Sequence, residues 1–218
     1  MLKLYNFFRS GTSYRLRIAL NLKGLDYEYL PVDLRSEQHL GEAFKALNPQ
    51  GLVPALVEGG HTLIQSPAII EWLEERYPTP ALLPVNADDR ARVRALAALV
   101  GCDIHPLNNR RVLEYLRHQL GCDETAVLAW CATWIEAGFG ALEALLAADG
   151  KRGDFCFGHT PTLADVYLVP QVESARRFGV DLSPYPNIVA VDRACAELDA
   201  FRRAAPAVQP DAPQPATA

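Results

Sequence analysis

Hydrophobic residues change their spacing near residue 80, and this change divides the chain into two regions. Over residues 1–80, short apolar runs alternate with stretches of helical periodicity, and the predicted elements follow the order βαβαββα. From residue 88 onward, apolar residues recur at helical spacing. Between the two regions, three prolines within seven residues of the segment PTPALLPVNA (78–87) break any helix and favour a linker. The pattern predicts an α/β domain followed by an all-helical domain.

Helix and turn signals bound the elements of the first region. Gly24 ends the first predicted helix, because glycine readily takes the left-handed C-terminal conformation. Ser66 is the predicted N-cap of the third helix, with Pro67 at its first position. The turn Glu58-Gly59-Gly60 predicts a hairpin, and a crossover helix implies that the first two strands are parallel. The predicted strands cover Leu2–Phe8, Tyr27–Val32, Val53–Val57 and His61–Gln65, and the helices cover Ser13–Lys23, Ser36–Leu47 and Ser66–Tyr77.

The second region is predicted to be helical throughout, over residues 88–206. A Thr162–Asp165 capping box behind Pro161 begins one of its helices. The last residues, 207–218, are rich in proline and alanine and poor in bulky apolar side chains, so we expect a flexible tail there. The predicted helices cover Asp88–Gly101, Asn108–Leu120, Thr125–Ala148, Thr162–Val169 and Asn187–Ala204.

Composition and charge narrow the classes of function. Half of the 218 residues are hydrophobic and the net charge is −5, which argues against non-specific binding to nucleic acid. No apolar run reaches the ~18–20 residues of a membrane helix, and the N-terminus is a poor signal peptide, so a cytoplasmic protein with no membrane partner is expected. Five cysteines without a C-x-x-C pair favour reduced thiols. The five histidines lack ligand spacing, so no metal is expected.

Local sequence carries a family resemblance over about residues 1–212. The run R-S-G-T-S-Y-R-L-R-I-A-L (9–20) resembles the zeta-class glutathione transferase signature R-S-S-C-S-W-R-V-R-I-A-L. The segments 46–49, 169–172 and 180–186 are similar to the same class. The resemblance implies a thioredoxin-like, glutathione-binding domain over residues 1–80 and an all-α, substrate-binding domain over 88–206. It also implies a homodimer. Ser10-Gly11-Thr12 and Asn109-Arg110-Arg111 are closer to the bacterial maleylpyruvate isomerase branch.

A strand–loop–helix junction at Ser10–Arg15 is the expected site of the glutathione thiolate. Exposed N–H groups at a helix N-terminus favour an anion, and the Ser10 hydroxyl could donate a hydrogen bond to the sulfur. The alternative is that Ser10, Thr12 and Ser13 only cap the helix. Thr12 stands where the family has Cys, and Gly11 stands where it has a second Ser. These departures leave open which hydroxyl contacts the sulfur, and they put cysteine-dependent side reactions in doubt.

Further positions are implied to bind the rest of glutathione. Val53-Pro54 resembles the cis-proline turn of the fold, which would direct the Val53 N–H and C=O outward to the cysteinyl backbone. Gln65 and Ser66 would bind the γ-glutamyl carboxylate at a helix N-terminus. A trans turn and an ordinary N-cap are the alternatives. The implied glutathione-binding residues are Ser10, Gly11, Thr12, Ser13, Arg15, His39, Val53, Pro54, Gln65, Ser66, His105 and Asn109, and the implied catalytic residues are Ser10, Thr12 and Arg9.

The implied substrate is a dianionic maleyl-keto acid, which needs cations that an acidic protein must supply locally. Arginine binds carboxylates in bidentate fashion, although any single arginine could be an ordinary surface charge. The implied reaction converts maleylpyruvate to fumarylpyruvate in aromatic degradation. Maleylacetoacetate isomerisation, conjugation or dehalogenation of small α-halo acids, and non-catalytic glutathione binding are the alternatives. The implied substrate-binding residues are Arg9, Arg110, Arg111 and Arg177.

Overall fold

The computed structural model describes residues 1–213 and divides into two compact units. The first unit contains Met1–Leu82 together with the C-terminal residues from Glu197 onward, and the second contains Leu83–Ala196. The predicted fold class, a βαβαββα domain and an all-helical region, is confirmed. The strands are β1 (Leu2–Asn6), β2 (Tyr27–Pro31), β3 (Ala55–Glu58) and β4 (His61–Ile64). The helices are α1 (Gly11–Leu22), α2 (Glu42–Lys45), α3 (Ser66–Arg76), α4 (Ala87–Ala98), α5 (Arg110–His118), α6 (Glu124–Ala148), α7 (Leu163–Arg177), α8 (Pro186–Ala196) and α9 (Asp199–Ala204).

The first unit is built on a four-stranded sheet in the order β2-β1-β3-β4. β1 and β2 are parallel and joined by α1, whereas β3 pairs antiparallel with both β1 and β4. Leu16, Ile18 and Leu20 of α1 are fully buried, and this helix packs against α3 and α9. Gly24 has a φ of 64° immediately after the C-cap of α1, as predicted. The parallel pair and the hairpin follow the predicted order.

Two elements of the first unit differ from the prediction. The helix expected over Ser36–Leu47 is a 3-10 turn at Gln38–Leu40 followed by the single turn of α2. Gly41 separates them because its backbone is extended, with φ −70° and ψ 156°. Strand β3 begins at Ala55 rather than Val53, because Pro54 has no N–H with which to join the ladder.

A buried lysine holds the chain that leaves α3. The Lys23 ammonium donates to Glu74 at 2.7 Å and to the carbonyl oxygens of Tyr77 and Pro80 at 2.6 and 2.9 Å. The Glu74 carboxylate in turn accepts from the N–H of Leu82. Both charges are therefore paired and hydrogen-bonded, which compensates their removal from water. The proline-rich segment is fixed to the first unit up to Leu82.

The second unit is organised around two long helices. A regular stripe of α6 is buried, running through Val127, Cys131, Ile135, Phe139 and Leu142, and α6 packs against α8. By length and hydropathy α6 could also cross a membrane, but core helices of soluble proteins pass the same test, so this is weak evidence.

The predicted end of the helix Thr162–Val169 is wrong, because α7 continues through Pro170 to Arg177. Twelve of its fifteen residues are buried, and this packing outweighs the cost of about 3 kcal/mol for an internal proline. The predicted capping box is present, with the Thr162 N–H donating to Asp165 at 2.7 Å. The consequence is that Arg177 is the last residue of a long buried helix.

A π-helical segment, Leu99–Ile104, follows α4, where the sequence predicted one helix to Gly101. Two close approaches surround this segment. A Cβ on Gly101 would lie 2.8 Å from the Tyr167 ring, and a Cβ on Gly138 would lie 2.3 Å from Ile104. The 3-10 turn His105–Asn108 comes next, and the Trp130 indole donates to the Leu107 carbonyl at 2.8 Å. π-helical turns are frequent at functional sites, and this one leads directly into His105.

The C-terminal end differs from the prediction in two ways. The predicted helix Asn187–Ala204 is two helices, α8 and α9, and α9 belongs to the first unit, so the expected boundary at residue 206 does not match the division of the structure. Residues 207–213 of the expected flexible tail make defined contacts. Gln209 donates to the carbonyl oxygens of Arg203 and Ala205, and Asp211 bonds to Phe8 and Tyr29. Residues 214–218 of the expected tail lie outside the described residues.

Glu143 of α6 caps the N-terminus of α8, and removing its carboxylate should weaken the second unit. Its oxygens accept from the N–H groups of Asn187 and Ile188 at 2.8 and 3.0 Å. We expect Glu143→Ala to lower the free energy of unfolding by about 1–2 kcal/mol in chemical denaturation, because two helix-terminal donors lose their acceptor. Glu136→Ala, at an exposed position of the same helix, should stay within about 0.5 kcal/mol of the parent. Equal effects of the two changes would contradict the capping role.

Candidate active site

The loop between β1 and α1 ends in a helix cap, and the first turn of that helix contains no acidic residue. Ser10 is the N-cap of α1, and its Oγ accepts from the Ser13 N–H at 3.3 Å. No acidic residue lies in the first turn, so the positive end of the helix is not neutralised locally. Ser10, Gly11 and Thr12 are half-buried and Arg9 is exposed, which leaves all four accessible to a ligand. Ser10 therefore caps α1, which the sequence offered as the alternative to a functional role. The same helix start also has the geometry of an anion site.

A chain of hydroxyl groups links this cap to the turn before β3. The Thr12 hydroxyl donates to the Val53 carbonyl at 2.9 Å, and Ser10 Oγ lies 2.9 Å from Thr12 Oγ1. Because a hydroxyl has one hydrogen and Thr12 gives it to Val53, Ser10 must be the donor of the Ser10–Thr12 bond. The Thr12 proton is therefore committed to the backbone, and the Ser10 proton is directed only to another hydroxyl. This difference bears on which hydroxyl serves a bound sulfur.

The Val53–Pro54 peptide bond is cis, as predicted. The prediction that both polar groups of Val53 face outward needs correction, because its carbonyl accepts the Thr12 hydroxyl. Among residues 1–213, no acceptor is found for the Val53 N–H. The turn therefore offers a backbone donor beside the hydroxyl chain, and its carbonyl is shared with Thr12.

The start of α3 is a second helix terminus with unused donors. The N-cap is Gln65 rather than the predicted Ser66, and it makes no side-chain capping bond. Gln65 has a φ of 69°, a conformation that costs a non-glycine residue energy and often marks a ligand site. Ser66 is 3% exposed, and its Oγ has no hydrogen-bond partner within residues 1–213. A buried hydroxyl at an uncapped helix start fits a carboxylate ligand.

Two predicted glutathione-binding residues of the first unit are internal. Ser13 is fully buried, and its Oγ accepts from the Phe7 N–H at 3.3 Å. Arg15 is only 2% exposed. Their side chains therefore lie inside the first unit, and their role in binding glutathione stays a prediction. Both residues fall on the inward face of α1. His39 is half-buried in the 3-10 turn before Gly41 and stays a prediction.

Four of the predicted residues of the second unit lie at or just before the start of α5. His105 begins the 3-10 turn after the π-helical segment and is half-buried. Asn109 is the N-cap of α5, and its Oδ1 accepts from the Arg111 N–H at 3.1 Å. Arg110 and Arg111 are exposed in the first turn. Cations at a helix N-terminus are unfavourable by about 0.3–1 kcal/mol each, so this arrangement concentrates positive charge suited to an anion.

Arg177 lies at the C-terminal end of α7, and its side chain is exposed. Its guanidinium donates to Ser174 Oγ at 3.3 Å and lies 4.8 Å from the centre of the Phe178 ring. The neighbouring Arg176 instead pairs with Asp192 of α8 at 2.5 Å. The two adjacent arginines therefore contact different neighbours, Arg176 a carboxylate of α8 and Arg177 a hydroxyl and an aromatic face of its own segment.

Family models match both regions of the chain. The N-terminal domain model of glutathione S-transferase matches residues 4–81, and the C-terminal domain model matches residues 126–207. A maleylpyruvate isomerase from a Ralstonia species is 76% identical over 210 residues, covering 96% of this chain and 99% of the relative. The chain belongs to the zeta class of the glutathione transferase family.

Two solved structures of zeta-class relatives resemble this transferase closely. A holo maleylpyruvate isomerase, described as a bacterial zeta-class enzyme, has a TM-score of 0.96 and 75% identity, covering 97% of this chain and 100% of the other. A maleylacetoacetate isomerase from Anaeromyxobacter dehalogenans with glutathione bound in its active site has a TM-score of 0.87 and 47% identity, covering 98% of each chain. Glutathione is the cofactor that this family and these neighbours indicate.

Sequence reasoning missed three residues that contact the candidate site or the loop before it. Gln50 pairs with Gln65 at 2.5 Å, although nothing around Asn48-Pro49 signals it. Arg17 and Asp211 both bond to the backbone of Phe8. A charged residue between Leu16 and Ile18 on the buried face of α1 was a usable signal for Arg17. Within the described part of the chain, no group of His, Cys, Asp or Glu could hold a metal ion.

Proposed function

We propose that this glutathione transferase catalyses the glutathione-dependent cis–trans isomerisation of maleylpyruvate to fumarylpyruvate, a step of aromatic degradation. The observation that carries the proposal is the hydroxyl arrangement at the start of α1. Ser10 has a proton that it can turn toward a sulfur, whereas the Thr12 proton is bonded to Val53. The name of the Ralstonia relative supports maleylpyruvate as the substrate.

Glutathione supplies a thiolate, which adds reversibly to the conjugated cis double bond and so permits its rotation. The residues of this chain act around that chemistry. The Ser10 hydroxyl donates to the sulfur, and the N-terminal turn of α1, which contains no acidic residue, favours its negative charge. The Val53 N–H would pair with the cysteinyl backbone, and Ser66 would donate to the γ-glutamyl carboxylate. Together these contacts hold the thiolate in one orientation.

Arginines are the proposed ligands of the substrate carboxylates. Arg9 is exposed next to Ser10, and within residues 1–213 it forms no ion pair, so its charge is available. Arg177 is proposed as a second carboxylate ligand because the family resemblance implies it and its side chain is exposed at the end of α7. Arg110 and Arg111 stay candidates, supported by their place at the N-terminus of α5. Bidentate contacts would orient a dianion more strictly than lysines could.

A spectrophotometric assay with and without glutathione tests the proposal. Maleylpyruvate and maleylacetoacetate are supplied separately, and each reaction is followed by substrate consumption. We expect rapid, glutathione-dependent turnover of maleylpyruvate. Preference for maleylacetoacetate, the substrate in the name of the Anaeromyxobacter neighbour, would correct the substrate but keep the reaction. Binding of glutathione without turnover of either compound would contradict the isomerase proposal and favour conjugation of α-halo acids or a binding role.

A homodimer located in the cytoplasm is the proposed state of the protein. Both proposals rest on the resemblance to zeta-class transferases rather than on contacts of this chain. Light scattering coupled to size-exclusion chromatography would test the first, because a dimer has twice the 24.0 kDa mass of the chain. A monomeric mass at micromolar concentration would contradict it.

Ser66→Ala should separate glutathione binding from stability. We expect glutathione to bind about tenfold more weakly by calorimetry, because a hydrogen bond to a charged carboxylate is worth about 1.5–3 kcal/mol. The free energy of unfolding of the ligand-free protein should not fall, because the buried Ser66 Oγ has no partner within the described residues to lose. Ser36→Ala, at an exposed position of the same unit, should change neither quantity. Unchanged affinity in Ser66→Ala would remove Ser66 from the glutathione site.

A further inference from the structure

The C-terminal segment after Glu197 packs on the first unit and reaches the loop that precedes Ser10. Helix α9 packs against α1, and the chain then turns through Pro206–Val208 toward Asp211. Ala212 packs against the cluster of buried side chains that includes Phe7, Phe8 and Val53. The last described residues therefore contact the β1–α1 loop through Asp211 and pack on a cluster to which Val53 of the cis-proline turn belongs.

Phe8 is held at both of its backbone polar groups. Its N–H donates to Asp211 Oδ2 at 3.0 Å, and its carbonyl accepts from Arg17 Nη2 at 2.8 Å. Arg17 is fully buried and also donates to the Ala204 carbonyl at 2.9 Å and to Asn6 Oδ1 at 2.8 Å. The C-terminal segment thus binds Phe8 directly through Asp211 and indirectly through the Arg17–Ala204 bond.

Charged and aromatic neighbours fix the orientation of the Asp211 carboxylate. Its second oxygen accepts a short hydrogen bond from the Tyr29 hydroxyl. Burial and this hydrogen bond raise the pKa of Tyr29 far above its ordinary value, so the hydroxyl stays protonated and donates. Burial lowers the pKa of Arg17, and Tyr29, Tyr27 and the Asp211 carboxylate counteract it. The Arg35 guanidinium lies over the Phe7 and Phe8 rings at 5.7 and 5.8 Å.

Movement of Phe8 would be transmitted to the thiolate donor. Phe8 is two residues before Ser10, and the Ser10 N–H donates to the Phe7 carbonyl at 3.1 Å. A catalytic group displaced by about 1 Å can lose about 100-fold in rate, so the backbone of this loop must be held firmly. The Asp211 carboxylate, which is far from the loop in sequence, meets that need by accepting from the Phe8 N–H.

We infer that Asp211 is a positioning residue, which holds the Phe8 backbone so that Ser10 and the first turn of α1 are aimed at the glutathione sulfur. The inference rests on the proposed glutathione-dependent reaction. It assigns Asp211 no contact with glutathione or substrate. Its effect comes from a hydrogen bond rather than from the negative charge, which by itself would disfavour a nearby thiolate.

The pKa of the bound glutathione thiol, followed by ultraviolet absorbance of the thiolate, tests this inference. We expect Asp211→Ala to raise that pKa by about half a unit to one unit and to raise the KM for glutathione about fivefold. In Asp211→Asn the KM for glutathione should stay within about twofold of the parent value. Its amide oxygen can still accept from the Phe8 N–H, and the Tyr29 hydroxyl can rotate. Asp199→Ala is the matched control, because that carboxylate is 66% exposed and pairs only with Arg202 and Arg203 among the described residues.

Distinct results would overturn the inference. The first is a thiol pKa in Asp211→Ala equal to that in Asp199→Ala. The second is a thiol pKa in Asp211→Asn raised as far as in Asp211→Ala, because loss of the charge would then be the cause. Amide hydrogen exchange of Phe8 in the parent protein gives a test that does not depend on how the variants fold. Slowed exchange is expected, and exchange as fast as in an unstructured peptide would contradict the bond to Asp211. Absence of a bound thiolate in the parent itself would instead defeat the proposed function along with the inference.

Discussion

Ser10→Ala is expected to lower kcat/KM for glutathione-dependent isomerisation by about 100- to 1000-fold, the loss typical when one donor to a developing or resident anion is removed. The Ser10 hydroxyl is the donor of the Ser10–Thr12 bond and can turn toward a sulfur without breaking a contact to the backbone. Without it the thiol of bound glutathione should have a higher pKa, so the rise of kcat/KM with pH should move to higher pH. Steady-state kinetics across a pH series measures both effects.

Thr12→Val is the matched control for this prediction. It removes the hydroxyl that donates to Val53 but leaves the Ser10 proton in place, so we expect a loss of only about tenfold, through a less well-fixed turn. Both variants keep the backbone N–H groups of α1. A larger loss in Thr12→Val than in Ser10→Ala would assign the sulfur contact to Thr12 and reverse the roles proposed for the two hydroxyls.

Local signals were sufficient where they agreed with the tertiary structure. Gly24 after α1, the Glu58-Gly59-Gly60 turn and the capping box at Asp165 each act within a few residues, and each was predicted correctly. Pro170 was misleading because its local cost is outweighed by the burial of α7 on nearly all sides, which no window of sequence displays. Gly41 shows the converse, because one residue with extended backbone divided a helix that periodicity favoured.

In the candidate site, too, the sequence predicted the local features but not the contacts between distant segments. The Ser10 loop and the cis Val53–Pro54 turn could be predicted because the resemblance covers those residues. The bond from Asp211 to Phe8 joins residues 203 positions apart, and composition alone predicted a flexible tail there. Arg17 was likewise missed, since the sequence does not say that a buried guanidinium will bind several carbonyl groups. Contacts between distant segments, rather than local chemistry, are what the sequence left undetermined.

Arg177→Ala is expected to raise the KM for the maleyl-keto acid by about 10- to 100-fold with a smaller change in kcat. A charge-assisted hydrogen bond to a carboxylate is worth about 1.5–3 kcal/mol, and a contact made equally in the ground and transition states appears mainly in KM. The Arg177 guanidinium is exposed at the end of α7, where it contacts Ser174 and the Phe178 ring. Initial rates at varied substrate and saturating glutathione measure the effect.

Arg176→Ala provides the control, because it removes the same charge from the adjacent position. Arg176 pairs with Asp192, whose carboxylate is buried, so removing the arginine should lower the free energy of unfolding by about 1–3 kcal/mol while KM stays within about twofold. Equal rises in KM for both variants would mean that the overall positive charge near the end of α7 attracts the substrate. An unchanged KM in Arg177→Ala would exclude Arg177 from substrate binding and leave Arg9, Arg110 and Arg111 to carry it. A rise confined to Arg177→Ala would support a direct contact with the substrate, since the same charge is removed at the adjacent position in the control.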